Sequence, residues 1–333
     1  MYGRKDEDDR PVMAPYMSSP RKSRKISRFQ ISLPATSANL GPAFDAAALA
    51  FNLHLRLEAS PAAEYAIQAT GRDADICGRV ENHLILTTYK EVLEGAGKPA
   101  VPVALKISND IPIGKGCGSS AAARLAGIAL ADHYGQLRWS DARIVGEAAR
   151  REHHPDNASA CWIGGLTVAR MSGVAEAQVA AIRPKGKWLL LLAVPPEPLS
   201  TEEARRVLPT RYSRADAVVN VQNSMLLLAA FMQGRPEFLT AALEDKIHQP
   251  YRAPLCPLLP AVQEMTGSAG ILGSALSGAG PSVLIFLDPR SKITPKNIAA
   301  QVAAHLARKK LSAQLFLTAI AEKGAAATRR SAN

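Results

Sequence analysis

Four short segments of the chain hold residue types whose spacing could do chemistry. The first is Ile111-Pro-Ile-Gly114-Lys-Gly116-Cys-Gly118-Ser119-Ser120-Ala-Ala-Ala123. Glycines at alternate positions turn backbone N–H groups to one side, and a helix behind them adds the positive end of its dipole, which together make a seat for phosphate oxygens. No Lys-Ser/Thr follows the last glycine, so this is not a Walker A loop, and the GxGxG spacing is not the Rossmann fingerprint. A flexible turn before a helix is the competing reading. The second segment is Pro34-Ala-Thr-Ser-Ala-Asn39-Leu-Gly-Pro-Ala-Phe44-Asp45, where Asn39 and Asp45 taken alone are ordinary turn residues. The third, Ser277-Gly278-Ala-Gly280-Pro281-Ser282, reads alone as a tight strand connection. The fourth, Glu152-His153-His154-Pro155-Asp156-Asn157, is dense in metal-ligating types. Two adjacent histidines before a proline lack the spacing that puts two ligands on one helix face, which disfavours zinc.

An alternation of strands and helices has to position these segments. Phe29-Gln-Ile31-Ser-Leu33 and Phe51-Asn-Leu53-His-Leu55-Arg-Leu57 alternate like two half-buried strands of one sheet, with a loop and short helical turn between them. A helix over 82–94, ended by Gly95 and Gly97, leads to a strand over 101–107. The glycine loop opens onto an Ala/Leu-rich helix through 135, and a second helix over 140–151 takes Ser140 as its cap. Strands follow over 166–171, 179–183 and 188–194. The second half begins with a short helix capped by Ser200 or Thr201, then helices over 215–232, 237–246, 258–267 and 295–309 and strands over 270–277, 282–287 and 313–317. The fold class is α+β in two halves with a seam near 185. Domains are expected over 29–185 and 186–320, between a disordered basic tail over 1–28 and a disordered tail over 321–333.

The 333 residues, 47 % of them hydrophobic, suffice for one large or two ordinary domains with a full core, which excludes collagen, coiled coil and a wholly disordered chain. A net charge of +11 invites a polyanion as partner. Residues 1–28 hold eight basic and four acidic residues, however, and 323–333 add Lys323, Arg329 and Arg330, so only four net charges fall on the body. Aromatic residues are 5 % of the chain and form no stripe with basic ones, which disfavours stacking on bases. The best apolar run, Trp188 to Val194, soon meets Pro195, Pro196 and Pro198, short of the roughly 18 residues a membrane span needs. The N-terminus has no apolar stretch of the secretory kind. Cys77, Cys117, Cys161 and Cys256 form no CxxC pair and read as reduced, packed thiols. A cytoplasmic protein with neither nucleic acid nor membrane as partner is expected.

Taken together, the four segments resemble the signature blocks of the GHMP kinase superfamily, in that family's order and over roughly residues 29 to 320. Pro112-Ile-Gly-Lys-Gly-Cys-Gly-Ser-Ser-Ala-Ala122 is similar to its phosphate-binding motif, and Ser277–Ser282 to its C-terminal glycine motif. The Pro34–Asp45 block resembles the homoserine kinase branch, as do Glu152–Asn157, Ser200-Thr-Glu-Glu-Ala-Arg205 and Gln249-Pro-Tyr-Arg252. The resemblance implies the GHMP kinase fold, an N-terminal domain like that of a ribosomal protein followed by a C-terminal ferredoxin-like α/β sandwich. It also implies ATP-dependent phosphorylation of the side-chain hydroxyl of L-homoserine, with Mg²⁺ as cofactor and a homodimer as the assembly.

Carried onto this sequence, the resemblance assigns ATP to Asn82, Pro112, Ile113, Gly114, Lys115, Gly116, Cys117, Gly118, Ser119, Ser120 and Thr201, and Mg²⁺ to Ser119, Ser120 and Glu152. Arg205 and Arg252 fall where substrate arginines do, and a guanidinium binds a carboxylate bidentately. Asp45 can pair with the ammonium, and Asn39, Asp156 and Asn157 can orient the hydroxyl. His154 is a further substrate contact or a brace. Glu152, Asp156 and Asn157 are the catalytic candidates, with Asp156 either a general base or only an orienting group.

The chain departs from the family pattern at several positions. Ala43 stands where relatives have glycine, a strain of about 1 kcal/mol if the position needs φ > 0. Lys115 and Cys117 replace smaller or apolar residues, and Lys115 either adds a phosphate contact or points to solvent. Asn109-Asp110 stands where a lysine is common, and His153 replaces a glycine. Three rivals remain at this level: a GHMP kinase for another small alcohol such as mevalonate or a sugar, a nucleic-acid-binding protein, and a catalytically silent relative. Mevalonate has no ammonium for Asp45 to meet.

Overall fold

The computed structural model describes residues 28–268 and 270–332, so the expected basic tail lies outside the described residues except for Arg28. Alternating apolar residues build the first layer. Phe29, Ile31 and Leu33 are buried along β1 (Arg28–Ala38), which pairs antiparallel with β2 (Ala47–Pro61) from Phe29↔Ala59 to Ala38↔Ala48. The register slips after Pro34, a residue that cannot donate to the ladder. Both strands run further than their periodicity predicts, because the small residues of 35–38 and 47–50 pair across, and the connection shrinks to 39–46.

β3 (Ala66–Gly71) and the one-turn helix α1 (Ala74–Cys77) were not legible in the periodicity. They precede α2 (Leu84–Gly95) and β4 (Val103–Asn109), which lies between β2 and a parallel β3. The glycine loop leads into α3 (Ser119–Gly135); α4 (Asp141–Glu152) follows, its cap Ser140 accepting the Arg143 N–H at 3.2 Å. Residues after it to which the sequence pattern assigned no element form α5 (Asp156–Ile163). β5 (Leu166–Gly173) pairs with the start of β2, and β6 (Glu176–Ile182) with β5. Leu125, Ile128 and Ala129 of α3 lie in one apolar core with Leu33, Leu57 and Ile107 of the sheet.

The second sheet comprises β7 (Leu189–Val194), β8 (Ile271–Leu276), β9 (Val283–Leu287) and β10 (Gln314–Thr318), in the order β10-β7-β9-β8 and all antiparallel, the strand order of a ferredoxin-like sandwich. Between β7 and β8 run α6 (Thr201–Arg206), α7 (Arg214–Gln233), α8 (Leu239–Ala242), α9 (Gln249–Arg252) and α10 (Leu258–Gln263), and α11 (Pro295–Arg308) joins β9 to β10. Successive leucines of β7 point to opposite faces: Leu190 and Leu192 join Leu227 and Phe231 of α7 in the large core, while Leu191 packs with Leu258 of α10 and Val302 of α11. The helix expected over 237–246 is broken, with a 3-10 turn at Pro236–Phe238 and only four residues in α8.

The chain does not end in a disordered tail as expected. α12 (Ala325–Thr328) and β11 (Arg330–Ala332) return to the first sheet, where β11 covers the free edge of β1 (Gln30↔Arg330). Ala325 is buried, Thr328 Oγ1 lies 3.0 and 2.8 Å from the backbone N and O of Ser32, and Arg329 pairs with Asp132 at 2.9 Å above the Trp162 ring. Elements of three and four residues carry no hydrophobic period, so the sequence pattern could not reveal them.

Candidate active site

The glycine loop is where the four segments meet. Gly114, Gly116 and Gly118 all have φ between +69° and +75°, a region that only glycine enters freely. A Cβ on Gly116 would lie 2.2 Å from the Ser277 carbonyl oxygen, and one on Gly118 would lie 1.9 Å from Thr36 Oγ1. The loop is therefore wedged between the second and third segments, held by Thr36 N donating to the Cys117 carbonyl (3.1 Å) and Ser277 Oγ to the Gly116 carbonyl (2.8 Å). Thr36 Oγ1 in turn donates to Asn157 Oδ1 at 2.6 Å, which brings in the fourth segment. Gly118 caps α3 without a side chain, so the first-turn amides stay open to an anion.

Two adjoining cavities share Gly114, Ser119 and Ser120 as a wall. One, of about 630 Å³, is lined by Asn39, Asp45, Gly116, Gly118, Glu152, His154, Asp156, Asn157, Thr201, Arg205, Arg252 and Gly278–Gly280. The other, of about 1120 Å³, is mostly apolar: Leu55, Ile85, Ile107, Ile111 and Ile113 surround it, with Asn82 and His83 at its rim. An apolar slot on one side of a phosphate seat and a charged cleft on the other is the division a nucleotide and a polar acceptor require.

Three of the loop residues assigned to ATP line neither cavity. Pro112 and Cys117 are buried beneath the loop, and the Cys117 thiol, 3.8 Å from Ser282 Oγ, is pushed up to about 12 by burial, so it packs as a small apolar group. Lys115 is not free to solvent: its ammonium donates to the Pro196 carbonyl. Asp110 pairs with Arg56 at 2.8 Å.

The charged groups of the cleft are already engaged with one another. Asp45, in the left-handed region at φ +53°, takes both arms of Arg205 at 2.7 and 3.1 Å. Asn39 accepts the Asp45 N–H (2.9 Å) and donates to the Gly278 carbonyl (2.7 Å), so its amide holds two loops together. His154 Nδ1 lies 2.6 Å from Asp156 Oδ1, which also accepts the Asn157 N–H at 2.6 Å. Burial works against a charged His154, but Asp156, Asp45 and Glu152 outweigh it and raise its pKa. Asp45, His154 and Asp156 put ligand atoms within 4.8 Å of one another. Ser120 Oγ donates to Glu152 Oε1 at 2.6 Å, and Arg124 holds the same oxygen.

Arg252 is 1 % exposed, with Nε donating to the Ala204 carbonyl (2.9 Å) and Nη1 to His248 Nδ1 (3.1 Å), which leaves Nη2 without a partner among the described residues. Burial and the neighbouring Arg205 push it down to about 10. Both guanidiniums lie over the Phe44 ring, at 5.3 and 5.4 Å from its centroid. Thr36, Phe44, Arg124 and His248 were missed from the sequence; the first two stood inside a block already singled out, while the other two have no local signal. Two departures resolve. Ala43 is not at positive φ, so its glycine-to-alanine change carries no strain, whereas His153 sits at φ +69°, where a glycine belongs.

The family profiles described as GHMP kinases N terminal domain and GHMP kinases C terminal match residues 83–165 and 227–308. The chain is 44 % identical to the homoserine kinase of Solibacter usitatus over 80 % of its own length and 87 % of that protein. It is 35 % identical to the homoserine kinase of Desulfitobacterium hafniense over 89 % and 99 %. Among solved structures, the homoserine kinase of Cytophaga hutchinsonii matches with a TM-score of 0.75 and 21 % identity, covering 93 % of this chain and 99 % of that one.

Proposed function

The chain belongs to the homoserine kinases of the GHMP kinase superfamily, and from that premise we propose that ATP-dependent phosphorylation of homoserine proceeds in the charged cleft described above. One observation supports this acceptor over other alcohols. The cleft presents a carboxylate, Asp45, and two guanidiniums, Arg205 and Arg252, which match the ammonium and carboxylate of an amino acid.

In this reading the base enters the apolar slot beside Asn82 and Ile113, and the phosphates lie on the amides of 114–118 and the first turn of α3. Thr201, at the start of α6, faces the terminal phosphate. Glu152 and the Ser120 hydroxyl, with Ser119 beside them, form a set of oxygen donors that fits Mg²⁺. The ion supplies charge neutralisation on the phosphates when bound. The open Nη2 edge of Arg252 takes the acceptor carboxylate, and Arg205 and Asp45 exchange their mutual bonds for the carboxylate and the ammonium. Asp156, fixed by His154 and the Asn157 N–H, orients the hydroxyl or takes its proton, with Asn157 held alongside by Thr36. Asn39 acts by shaping the 39–45 turn.

We further propose that two copies pair through α7 in a cytoplasmic enzyme with neither nucleic acid nor membrane as partner. Among the described residues α7 alone is long and apolar enough to cross a membrane, yet Asn220 on it bonds the Pro42 carbonyl at 2.7 Å and Phe231 is in the core. Its outer face carries Val218, Val221, Met225 and Met232, each half exposed or more, at the three-four spacing of a helix-pairing seam.

The test is an ADP-release assay over homoserine, mevalonate and simple sugars, with the full chain and with residues 1–27 removed. Turnover of homoserine alone, in both forms, is expected. No turnover of homoserine defeats the substrate reading, and RNA affinity that survives the deletion in a chain without kinase activity favours the nucleic-acid rival.

A further inference from the structure

We infer that His248 is a positioning residue for the acceptor: its neutral ring ties Arg252 to the 39–45 turn and holds the two charged walls of the pocket in one arrangement. The inference rests on reading Arg252 as the partner of the acceptor carboxylate. His248 is fully buried, and its two ring nitrogens have partners of opposite demand. Nε2 lies 2.8 Å from the Gly41 carbonyl oxygen, which can only accept, so the proton sits on Nε2. Nδ1 then carries a lone pair, and it faces Arg252 Nη1 at 3.1 Å, a group that can only donate. The tautomer is fixed from both sides. A protonated ring would turn an N–H against the guanidinium, and burial keeps the ring neutral by lowering its pKa.

What the ring joins matters for the acceptor. Gly41 belongs to the turn that carries Asn39 and Asp45, while Arg252 is on α9, more than 200 residues away in sequence, as the 207-residue separation of His248 and Gly41 indicates. Phe44 stacks on the same ring at 5.2 Å, beneath both guanidiniums. Asp245 Oδ2 also lies 3.4 Å from Nε2, a second acceptor that keeps the proton on that nitrogen. Its carboxylate accepts the N–H groups of Ile247, His248 and Gln249 and so starts the α9 turn. Arg252 Nε is held by Ala204 and Nη1 by His248, with the Gly278 carbonyl 3.5 Å from Nη1, so Nη2 is the nitrogen left for an incoming carboxylate. The glycine loop and the apolar slot contain no atom of this linkage.

Three variants separate the two ends of the ring. His248→Asn places an amide oxygen near Nδ1 and keeps the acceptor for Arg252. His248→Gln places an amide nitrogen near Nε2 and keeps the donor to Gly41. His248→Phe keeps only the stacking. We expect the Phe and Gln variants to raise the KM for homoserine by roughly tenfold or more, the scale of one misdirected charged hydrogen bond, with the KM for ATP within about twofold. The Asn variant should return the homoserine KM to within about threefold of the parent. Asn and Gln behaving alike, or all variants shifting both KM values together, overturns the positioning role; should the Phe variant not fold, the Asn and Gln pair still decides. Arg252→Met is the control. An unchanged homoserine KM in Arg252→Met defeats the underlying reading of Arg252, whereas a raised one beside three unaltered His248 variants defeats this inference alone.

Discussion

Gly118→Ala puts the packing of the glycine loop to a quantitative test. Gly118 has φ +72°, where an L-residue costs about 1–2 kcal/mol. Its new methyl would lie 1.9 Å from Thr36 Oγ1, and ordinary contact begins at 3.4 Å, so the hydroxyl must retreat by more than an ångström. That retreat breaks the 2.6 Å bond to Asn157, a further loss of about 1 kcal/mol or more once the amide oxygen is left buried. The sum is roughly 3 kcal/mol, a fall in melting temperature of about 4 °C for a chain of this size. Gly97→Ala supplies the baseline, because Gly97 has φ +65° but nothing within 4 Å of its added Cβ. It should lose only the backbone part, about 1 kcal/mol. Melting scans of both variants, with homoserine-dependent ADP release alongside, isolate the crowding. Gly118→Ala should also lose kcat through the displaced Asn157, while Gly97→Ala keeps it. Equal melting temperatures and equal rates for the two variants would refute the claim that Gly118 joins the phosphate loop to the catalytic segment.

Four further outcomes follow from the same geometry. His153→Gly should raise stability by about 1 kcal/mol, since an exposed histidine at φ +69° is replaced by the residue that suits it; an unchanged denaturation midpoint argues against strain there. The folded pKa of His154 is raised above 6.5, so its contribution to stability is complete below about pH 6.5 and is lost as pH rises through the folded value. The melting advantage of the parent over His154→Asn should therefore shrink on the alkaline side, and a pH-independent difference contradicts this. Removing residues 324–333 uncovers the edge of β1 and breaks the Arg329 pair with Asp132, so the shortened chain should melt lower and aggregate sooner, as light scattering during a thermal ramp would record. Met225→Glu places two like charges at the centre of the proposed α7 seam and should yield monomers in sedimentation; a species unchanged from the parent excludes this face as the interface.

Local signals in the sequence were enough to single out the segments that the fold brings together in the candidate site, and distance along the chain decided what stayed hidden. Phe29, Ile31 and Leu33 announced β1 by their alternation, and Ser140 and Ser200 announced helix starts through their caps. Asp45 and Arg205 were each marked as charged groups of the site, but nothing in two residues 160 positions apart says that they hold each other. His248 carried no mark, because its role lies in two partners, one of them 207 positions away. The C-terminal strand was invisible for a different reason. Three residues cannot display a period, and only the open edge of β1 gives them a place.

The pairing of Asp45 with Arg205 changes how acceptor recognition should be understood. If the two charges waited apart, an incoming amino acid would gain both ion pairs in full. Because they already neutralise each other at 2.7 Å, binding under the proposed assignment would exchange one pair for two new ones, with the difference as the net gain. Such an arrangement contributes less to affinity than to discrimination. A ligand with a carboxylate but no ammonium can attract the arginine only by leaving Asp45 unpaired, and an uncharged alcohol cannot open the pair at all. Asp45→Asn removes that penalty. The variant should bind homoserine more weakly, since the ammonium loses its partner, and yet lower the relative barrier to hydroxy acids that lack an ammonium. Competition by such acids against homoserine, compared between parent and variant, measures the effect, and an unchanged ratio of inhibition constants would show that the ion pair takes no part in choosing the substrate.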